Sequence, residues 1–396
     1  MDFRRLRPLL LLGVVLFLGL PTPATAIPAF ARRYRVTCAL CHNPAPKLTE
    51  FGRAFAANGL RMAAGEEPVD TIATGDSDLS LLKDLPLAVR LDLYTQEYAN
   101  GRAATDFQTP YGLKILSGGP LSKKISYYFY TFLLERGDVG AVEDAFVYFN
   151  DLGGKPVDLI VGQFQVSDPL FKRELRLMFE DYAIYRARVG DVPIDLTYDR
   201  GIMAMADVGG FTMTGEVLNG TGLAGAGANR HYDTDRNKSL FLHATRNLGG
   251  ALRLGALGYW GRTDGNDTRN TTSMLGGDGT LGFGIVELNG QYVYREDTRP
   301  TFTVGESKVT VQGGFAEVIV RPVGSRWYGF GLYNRVTSDK PLLNVRLGGP
   351  ANIRKHESIS GGVGHLLRRN VRLTGEAAYD MEQDEGRFTL GIIAAF

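Results

Sequence analysis

The sequence predicts a mainly β protein, in which a small N-terminal helical lobe precedes a transmembrane antiparallel β-barrel of about sixteen strands. Three observations predict this architecture. The chain begins with an export signal, and no later stretch offers the roughly 18 uninterrupted apolar residues of a membrane helix. From residue 85 onward, apolar and polar residues alternate in segments of about ten residues. An exported chain with such strands is a candidate outer-membrane protein.

Residues 1–26 have the three parts of a secretory signal peptide. Three arginines among the first seven residues precede an apolar run from Leu9 to Leu20, and Ala24-Thr25-Ala26 ends the segment. A basic start, a short apolar stretch and a small-x-small end mark a cleavable signal. We expect the mature chain to start near Ile27.

The charge balance argues against a nucleic-acid partner. The 396 residues include 44 Lys and Arg against 43 Asp and Glu, so no net positive field would attract phosphates. Only two cysteines are present, too few for a disulfide scaffold or for a four-cysteine zinc or iron–sulfur site.

Both cysteines lie in the motif Cys38-Ala39-Leu40-Cys41-His42, which is the attachment sequence of c-type haem. Two thiols at this spacing add to the two vinyl groups of one porphyrin, and the adjacent histidine reaches the iron as proximal ligand. A redox C-x-x-C would need a thioredoxin-like context, a zinc site would need further cysteines, and a disulfide across two residues would be strained. The sequence therefore predicts one covalent c-type haem, bound by Cys38, Cys41 and His42.

The haem motif belongs to a predicted helical lobe over residues 27–84, where Phe51 and Phe55 recur at helical spacing. No second histidine lies in this lobe, so the sixth iron ligand must come from another residue type or from solvent. Met62 is the nearest candidate, and ligation by its thioether would raise the potential. The alternatives are that Met62 is an ordinary apolar contact, that Met178 is the ligand, or that the iron is open or water-bound.

Residues 85–396 are predicted to form the barrel. The last strand illustrates the pattern, because Phe388, Leu390 and Ile392 share one face with the terminal Phe396. A soluble sandwich would show the same alternation in shorter strands of about 5–6 residues, whereas longer ones favour a barrel with a polar lumen. The strands are predicted at 86–98, 107–116, 124–136, 141–151, 155–165, 196–207, 211–219, 238–247, 251–261, 270–282, 283–295, 309–322, 326–338, 353–368, 370–381 and 386–396.

An even strand count places both termini in the periplasm, with short turns on that side and long loops outside. Residues 166–195 are predicted to be the longest outer loop, folded inward to narrow the lumen. Asp168-Pro169 is a helix-start signal, and Leu175, Met178 and Tyr182 follow at helical spacing, so we expect a short amphipathic helix there. One more strand hairpin is the alternative.

Two elements around the haem motif carry a family resemblance. The segment Ile27-Pro28-Ala29-Phe30-Ala31-Arg32 and the element Phe51-Gly52-Arg53-Ala54-Phe55 resemble the fused cytochrome–porins. That family joins a monohaem lobe to an outer-membrane barrel, and its best-understood branch oxidises ferrous iron at the cell surface. The chain departs from that branch at Asn43, where an aromatic residue is common, and at Ala56, where a lysine is common.

The resemblance implies electron transfer across the outer membrane through a haem held in a porin-like barrel. Extracellular Fe(II) is the leading electron donor, and a periplasmic carrier such as a soluble cytochrome c is the expected acceptor. Outer-membrane lipid would surround the barrel, and the iron rather than a catalytic side chain would carry the chemistry. The alternative function is a passive porin whose haem lobe acts as a gate or sensor plug.

Overall fold

A computed structural model describes residues 29–62, 66, 68, 71–76, 78–83, 85–99, 105–166, 173–227, 229–265, 268–345 and 350–396. The predicted signal peptide, residues 1–26, lies outside the described residues, as does the Asp168-Pro169 signal. Among the helices that are described, none is both long and apolar enough to cross a membrane.

Sixteen long antiparallel strands form one closed barrel in the described part of the chain. The last strand pairs with the first, for example Ala394 with Leu91, and this pairing closes the sheet. The strands are β1 Leu87–Tyr98, β2 Thr105–Pro120, β3 Ile125–Glu135, β4 Val142–Phe149, β5 Val157–Gln165, β6 Tyr198–Val208, β7 Phe211–Leu218, β8 Ser239–Leu248, β9 Leu252–Asp264, β10 Arg269–Phe283, β11 Val286–Asp297, β12 Val309–Val320, β13 Trp327–Ser338, β14 Lys355–Arg368, β15 Val371–Asp380 and β16 Glu385–Ala395.

The predicted fold class is confirmed, and each predicted strand corresponds to one observed strand. The largest boundary error is at β2, which was expected at 107–116 and extends over Thr105–Pro120. Three further two-residue strands are described: Asp138–Val139 beside β3, and the pair Arg188–Val189 with Leu343–Asn344.

Side chains alternate across the barrel wall as a lipid environment requires. In β8, Leu240 and Leu242 are exposed, whereas the intervening Phe241 and His243 are buried inside. In β16, Leu390 is 53% exposed and the neighbouring Thr389 only 1%. An apolar outer surface with polar residues inside is the inverse of a soluble barrel and matches a transmembrane one.

The two ends of the barrel differ in their connections. At one end, called the short-turn end, strands are joined by tight turns such as Gly209-Gly210, whose φ angles of 60° and 81° are the left-handed values that a two-residue hairpin needs. Residues 219–238 and 298–308 connect strands at the opposite, long-loop end. β1 begins and β16 ends at the short-turn end, so the even strand count brings both ends of the sheet together there.

Three N-terminal helices in the described part of the chain lie at the short-turn end: α1 Ala29–Tyr34, α2 Cys38–Cys41 and α3 Glu50–Ala57. α1 packs on α3 through edge-on contacts of Phe30 and Tyr34 with Phe55, whose ring centroids lie 5.4 and 5.6 Å away. Phe55 is buried, as its helical spacing predicts for a core residue, whereas Phe51 is 39% exposed.

The chain between β5 and β6 fills much of the lumen. Residues 173–197, called the lumen segment, bury Leu177, Met178, Tyr182, Ile184, Tyr185, Val189, Ile194 and Leu196 in one apolar cluster with inward-facing strand residues. Tyr182 stacks on Phe315 of β12 with ring centroids 4.3 Å apart.

The prediction of an amphipathic α-helix in this segment is wrong over the described residues. The segment contains only two short 3₁₀ turns, Arg173–Leu175 and Ala183–Arg186. The reason is that side chains of the barrel accept hydrogen bonds from backbone N–H groups that would bond within the segment if it were an α-helix. Glu376 accepts from the N–H of Phe179 at 2.6 Å, and Asn334 accepts from the N–H of Ala183 at 3.1 Å.

Candidate haem site

The haem motif is held by a close junction between α2 and α3. Thr49 caps α3 by accepting from the N–H of Gly52 at 3.0 Å, and its hydroxyl donates to the carbonyl of Leu40 at 2.7 Å. A Cβ at Gly52 would lie 2.2 Å from the carbonyl oxygen of Cys41. Only glycine permits this approach, so the element at residues 51–55 positions the helix that carries both thiols.

His42 follows α2 directly and is oriented by the loop after it. Its Nδ1 lies 2.9 Å from the carbonyl oxygen of Pro46, to which a protonated Nδ1 donates. This tautomer leaves Nε2 as the lone-pair nitrogen, and such a second hydrogen bond is how protein histidines are fixed as metal ligands. Burial lowers the pKa of His42, which favours the neutral form of the ring, the form that a metal ligand requires.

Cys38 and Cys41 are both free and half-buried. Burial raises the pKa of each thiol, and the charge of Arg369 opposes this shift at Cys38. A catalytic redox C-x-x-C pair has the opposite property, because it lowers the pKa of its attacking thiol. The two thiols, on one turn that ends at His42, instead match the donor set of a covalently attached haem.

A partly open cleft separates the haem motif from the barrel. It is called the haem cleft here. Cys38, His42 and residues 43–45 form its lobe side, and the barrel side consists of Arg321, Pro322, Ser325, Arg326, Trp327, Tyr328, Leu366 and Arg369. Tyr328 lies across Gly364, where a Cβ would meet its ring at 2.1 Å. The cleft thus combines a histidine that could ligate iron, a cysteine thiol, apolar side chains and three arginines, a set of residues that would fit c-type haem.

The two methionines considered as sixth ligands lie apart from the haem cleft. Met62 is 36% exposed, and its backbone N–H is hydrogen-bonded to Glu66 at 2.6 Å. Met178 is buried in a second cavity, with Tyr94, Lys114 and Phe132 among its neighbours. Neither methionine lines the haem cleft in this structure, and ligation by Met62 stays a prediction.

Sequence reasoning missed the contacts that attach the lobe to the barrel. Arg321 donates to the carbonyl of Asn43 at 2.9 Å, and Lys47 reaches into the lumen, where its Nζ lies 3.2 Å from Glu287 and 3.5 Å from Glu317. The other oxygen of Glu317 accepts from the hydroxyl of Tyr182 at 2.7 Å. One buried carboxylate therefore joins the lobe to the lumen segment. Its only signal in the sequence is a charged residue at an inward position of β12.

No family model matches the chain, and no curated protein matches it. Its fold is similar to solved outer-membrane structures. The anion-selective porin from Comamonas acidovorans has a TM-score of 0.58 at 13% identity and covers 79% of this chain and 99% of its own. The outer membrane channel DcaP of Acinetobacter baumannii has a TM-score of 0.56 at 10% identity, covering 79% and 97%. OmpT of Vibrio cholerae in its trimer form has a TM-score of 0.55 at 10% identity, covering 79% and 99%.

This chain therefore has the fold of the sixteen-stranded outer-membrane porins. The predictions of a closed barrel and of an outer-membrane location agree with that fold. At identities of 10–13% the likeness concerns the fold alone.

Proposed function

We propose that this chain passes electrons across the outer membrane through one covalent c-type haem held at the short-turn end of a porin-like barrel. In this proposal residues 27–84 form the haem lobe and 85–396 the barrel, after removal of the signal peptide at 1–26. Extracellular Fe(II) is the donor, and a periplasmic carrier such as a soluble cytochrome c is the acceptor.

The observation that carries the proposal is the arrangement of the haem motif. Cys38 and Cys41 would hold the porphyrin, and His42, whose Nδ1 faces the Pro46 carbonyl, would present Nε2 to the iron. The bound group would supply one-electron chemistry, while the residues around it set its potential through ligation and burial. The lobe lies at the end that also holds the first and last strand ends, the end that faces the periplasm in barrels of this type.

The contents of the lumen also favour electron transfer over solute transport. Hydrocarbon of about 25–30 Å separates the two sides, and electrons need a carrier placed within that distance. The apolar cluster of the lumen segment occupies space through which polar solutes would pass. Lys47 brings the lobe into contact with the same filled interior.

A passive porin with a haem-containing gate or sensor plug is the second candidate. The similarity of the barrel to porins favours it. In that case the lobe and the lumen segment would move to admit solutes, and the haem would control or stabilise the closed state.

One experiment distinguishes the two functions. Purified protein is inserted into liposomes that contain an encapsulated electron acceptor, and Fe(II) is added outside. The proposal expects reduction of the internal acceptor by the unsubstituted chain and none by Cys38→Ala/Cys41→Ala, which lacks covalent haem but keeps the barrel. Entry of small sugars into the same liposomes without electron transfer would overturn the proposal in favour of the porin.

A further inference from the structure

We infer that Arg326 and Arg369 bind the propionate carboxylates of the haem, and so tie the covalently held porphyrin to the barrel wall. This inference rests on the proposed function, because it assigns partners to a group that the haem motif would carry. It concerns residues far from that motif in sequence, and the motif itself gives no indication of them.

The two arginines come from separate turns of the short-turn end. Arg326 precedes β13, and Arg369 stands between β14 and β15. The hydrogen bond from the N–H of Leu366 to the carbonyl of Arg326 holds these neighbouring turns together at 2.9 Å. Both arginines line the haem cleft opposite Cys38 and His42. The barrel therefore brings two cations to the wall that faces the attachment thiol.

Neither guanidinium forms an ion pair with a carboxylate among the residues that the structure describes. Arg321, on the same side of the cleft, behaves differently. It pairs with Glu287 at 2.8 Å and donates to the carbonyl of Asn43 at 2.9 Å. Arg321 thus has a structural role in docking the lobe, whereas Arg326 and Arg369 keep their donors for a ligand.

The chemistry of haem supplies the matching group. One edge of the porphyrin is attached to the cysteines, while its two propionates are carboxylates that must be solvated or paired. A guanidinium binds a carboxylate through two parallel N–H···O bonds, which no lysine reproduces. Both arginines are exposed at the rim of the cleft, whereas Tyr328 is buried within it. The polar groups at the rim would match the propionates of the haem, and the aromatic wall inside would match its apolar porphyrin ring.

An acidic protein partner is the other source of carboxylates for this rim. The haem is favoured because the same cleft also contains Cys38 and His42, so a propionate would be present at the arginines permanently. A partner would instead need an open approach to the same groups. The test below separates these two sources.

The test measures the midpoint potential of the purified, haem-loaded full chain by spectroelectrochemistry. The variants are Arg326→Gln, Arg369→Gln and the double substitution. Removal of a positive charge from the haem edge favours the oxidised, more positive form, so each variant should show a lower potential. We expect the ratio of reduced to oxidised haem to fall about tenfold for each arginine, which corresponds to about 59 mV for one electron. Arg368→Gln, an exposed neighbour outside the cleft, is the matched control and should leave the potential unchanged.

The pH dependence of the potential distinguishes binding from simple proximity. With haem attached, Cys38 is a thioether and His42 is an iron ligand, and the remaining charged or phenolic residues that line the cleft are Arg321, Tyr328 and the two arginines. Of the groups in the cleft, only the propionates are then carboxyl groups, which ordinarily titrate at about pH 3 to 5. Propionates that are paired with arginine stay ionised, so the midpoint potential does not change with pH. In the double variant they take up protons as the pH falls, which favours the reduced form and raises the potential.

Several outcomes would overturn the inference. A double variant with the same potential and pH profile as Arg368→Gln does so while leaving the proposed function intact. If that variant only slows reduction of soluble cytochrome c, the arginines serve a partner and the inference is also wrong. If the unsubstituted chain carries no covalent haem, the proposed function and the inference fail together. If the glutamine variants do not fold, Arg326→Lys and Arg369→Lys replace them in the test, because lysine keeps the positive charge. If the midpoint potentials of these lysine variants equal that of the unsubstituted chain at every pH, the requirement for paired hydrogen bonds is contradicted.

Discussion

A single missing Cβ allows the haem motif to lie against α3. Gly52 and the Cys41 carbonyl are so close that an alanine methyl group would overlap the oxygen. The same junction is fixed by two hydrogen bonds of Thr49. Placement of both thiols and of His42 therefore depends on a residue that takes no part in haem chemistry.

Substitution Gly52→Ala should disturb this junction. Adding a methyl group to a tightly packed site costs about 1–3 kcal/mol, and here the opposing atom is backbone. We expect less covalent haem per barrel, measured as haem stain relative to folded protein. Ala54→Ser, at an exposed position of the same helix, is the control and should keep the stain of the unsubstituted chain. Equal staining of both variants would show that the close approach is not required for attachment.

Substitution Met62→Ala tests the predicted sixth ligand. If the Met62 thioether binds the iron, its loss should lower the midpoint potential, because thioether ligation favours the reduced state. The measurement is a redox titration monitored by the visible spectrum. Met178→Ala is the control, because Met178 lines a different cavity. Unchanged spectra and potentials in Met62→Ala would mean that another group or solvent occupies the sixth position.

The motif predicts Cys38, Cys41 and His42 as the haem site because covalent attachment would fix their spacing within five residues. No comparable pattern marks Lys47, Glu317, Arg326 or Arg369. Their roles arise only when the barrel closes and brings β12, β14 and the N-terminal lobe to one end. An inward charged residue on a strand is expected in any barrel with a polar lumen, so alternation alone cannot single out Glu317.

At the scale of elements, the strands were predictable from the sequence, whereas the local conformation of the lumen segment was not. A strand that crosses lipid must alternate apolar and polar residues over its whole length, so the sequence of β16 predicts which of its faces is apolar. The apolar residues of the lumen segment have helical spacing. Its backbone N–H groups nevertheless donate hydrogen bonds to Glu376 and Asn334, which lie on barrel strands far away in the sequence. Tertiary hydrogen bonds of this kind override a local pattern.

The contact between lobe and lumen can be tested at Lys47. Lys47 is 6% exposed and pairs with Glu287 and Glu317, so Lys47→Met leaves the buried Glu317 carboxylate without its cation, whereas Glu287 keeps its ion pair with Arg321. Loss of one partner from a buried ion pair costs about 3–5 kcal/mol. We expect the N-terminal lobe to become sensitive to added protease while the barrel stays folded. Lys155→Met, at an exposed position of a short turn, should leave the lobe protected. Equal protection in both variants would contradict the anchoring role.

At the scale of the whole molecule, closure of the barrel gives the chain its resistance to unfolding. β16 pairs with β1 from Arg90–Ala395 to Tyr98–Arg387, so the sheet has no free edge from which strands could peel. In hydrocarbon, each backbone group released from this ladder would lack any partner. We therefore expect unfolding to open the whole ring, and to need heat as well as detergent.

This closure predicts heat-modifiable behaviour. The protein should fractionate with outer membranes, resist extraction by salt, and migrate faster on a denaturing gel when unheated than when boiled, because the closed barrel stays compact in detergent. Substitution of outward Leu390 by Arg should reduce the fraction of fast-migrating protein, since a cation at the middle of the lipid face costs about 2–4 kcal/mol. Thr389→Ser, the inward neighbour in β16, is the matched control and should leave the barrel intact. Recovery of the unsubstituted chain in the soluble periplasmic fraction, with one mobility before and after boiling, would contradict a lipid-embedded barrel and with it the electron route across the membrane.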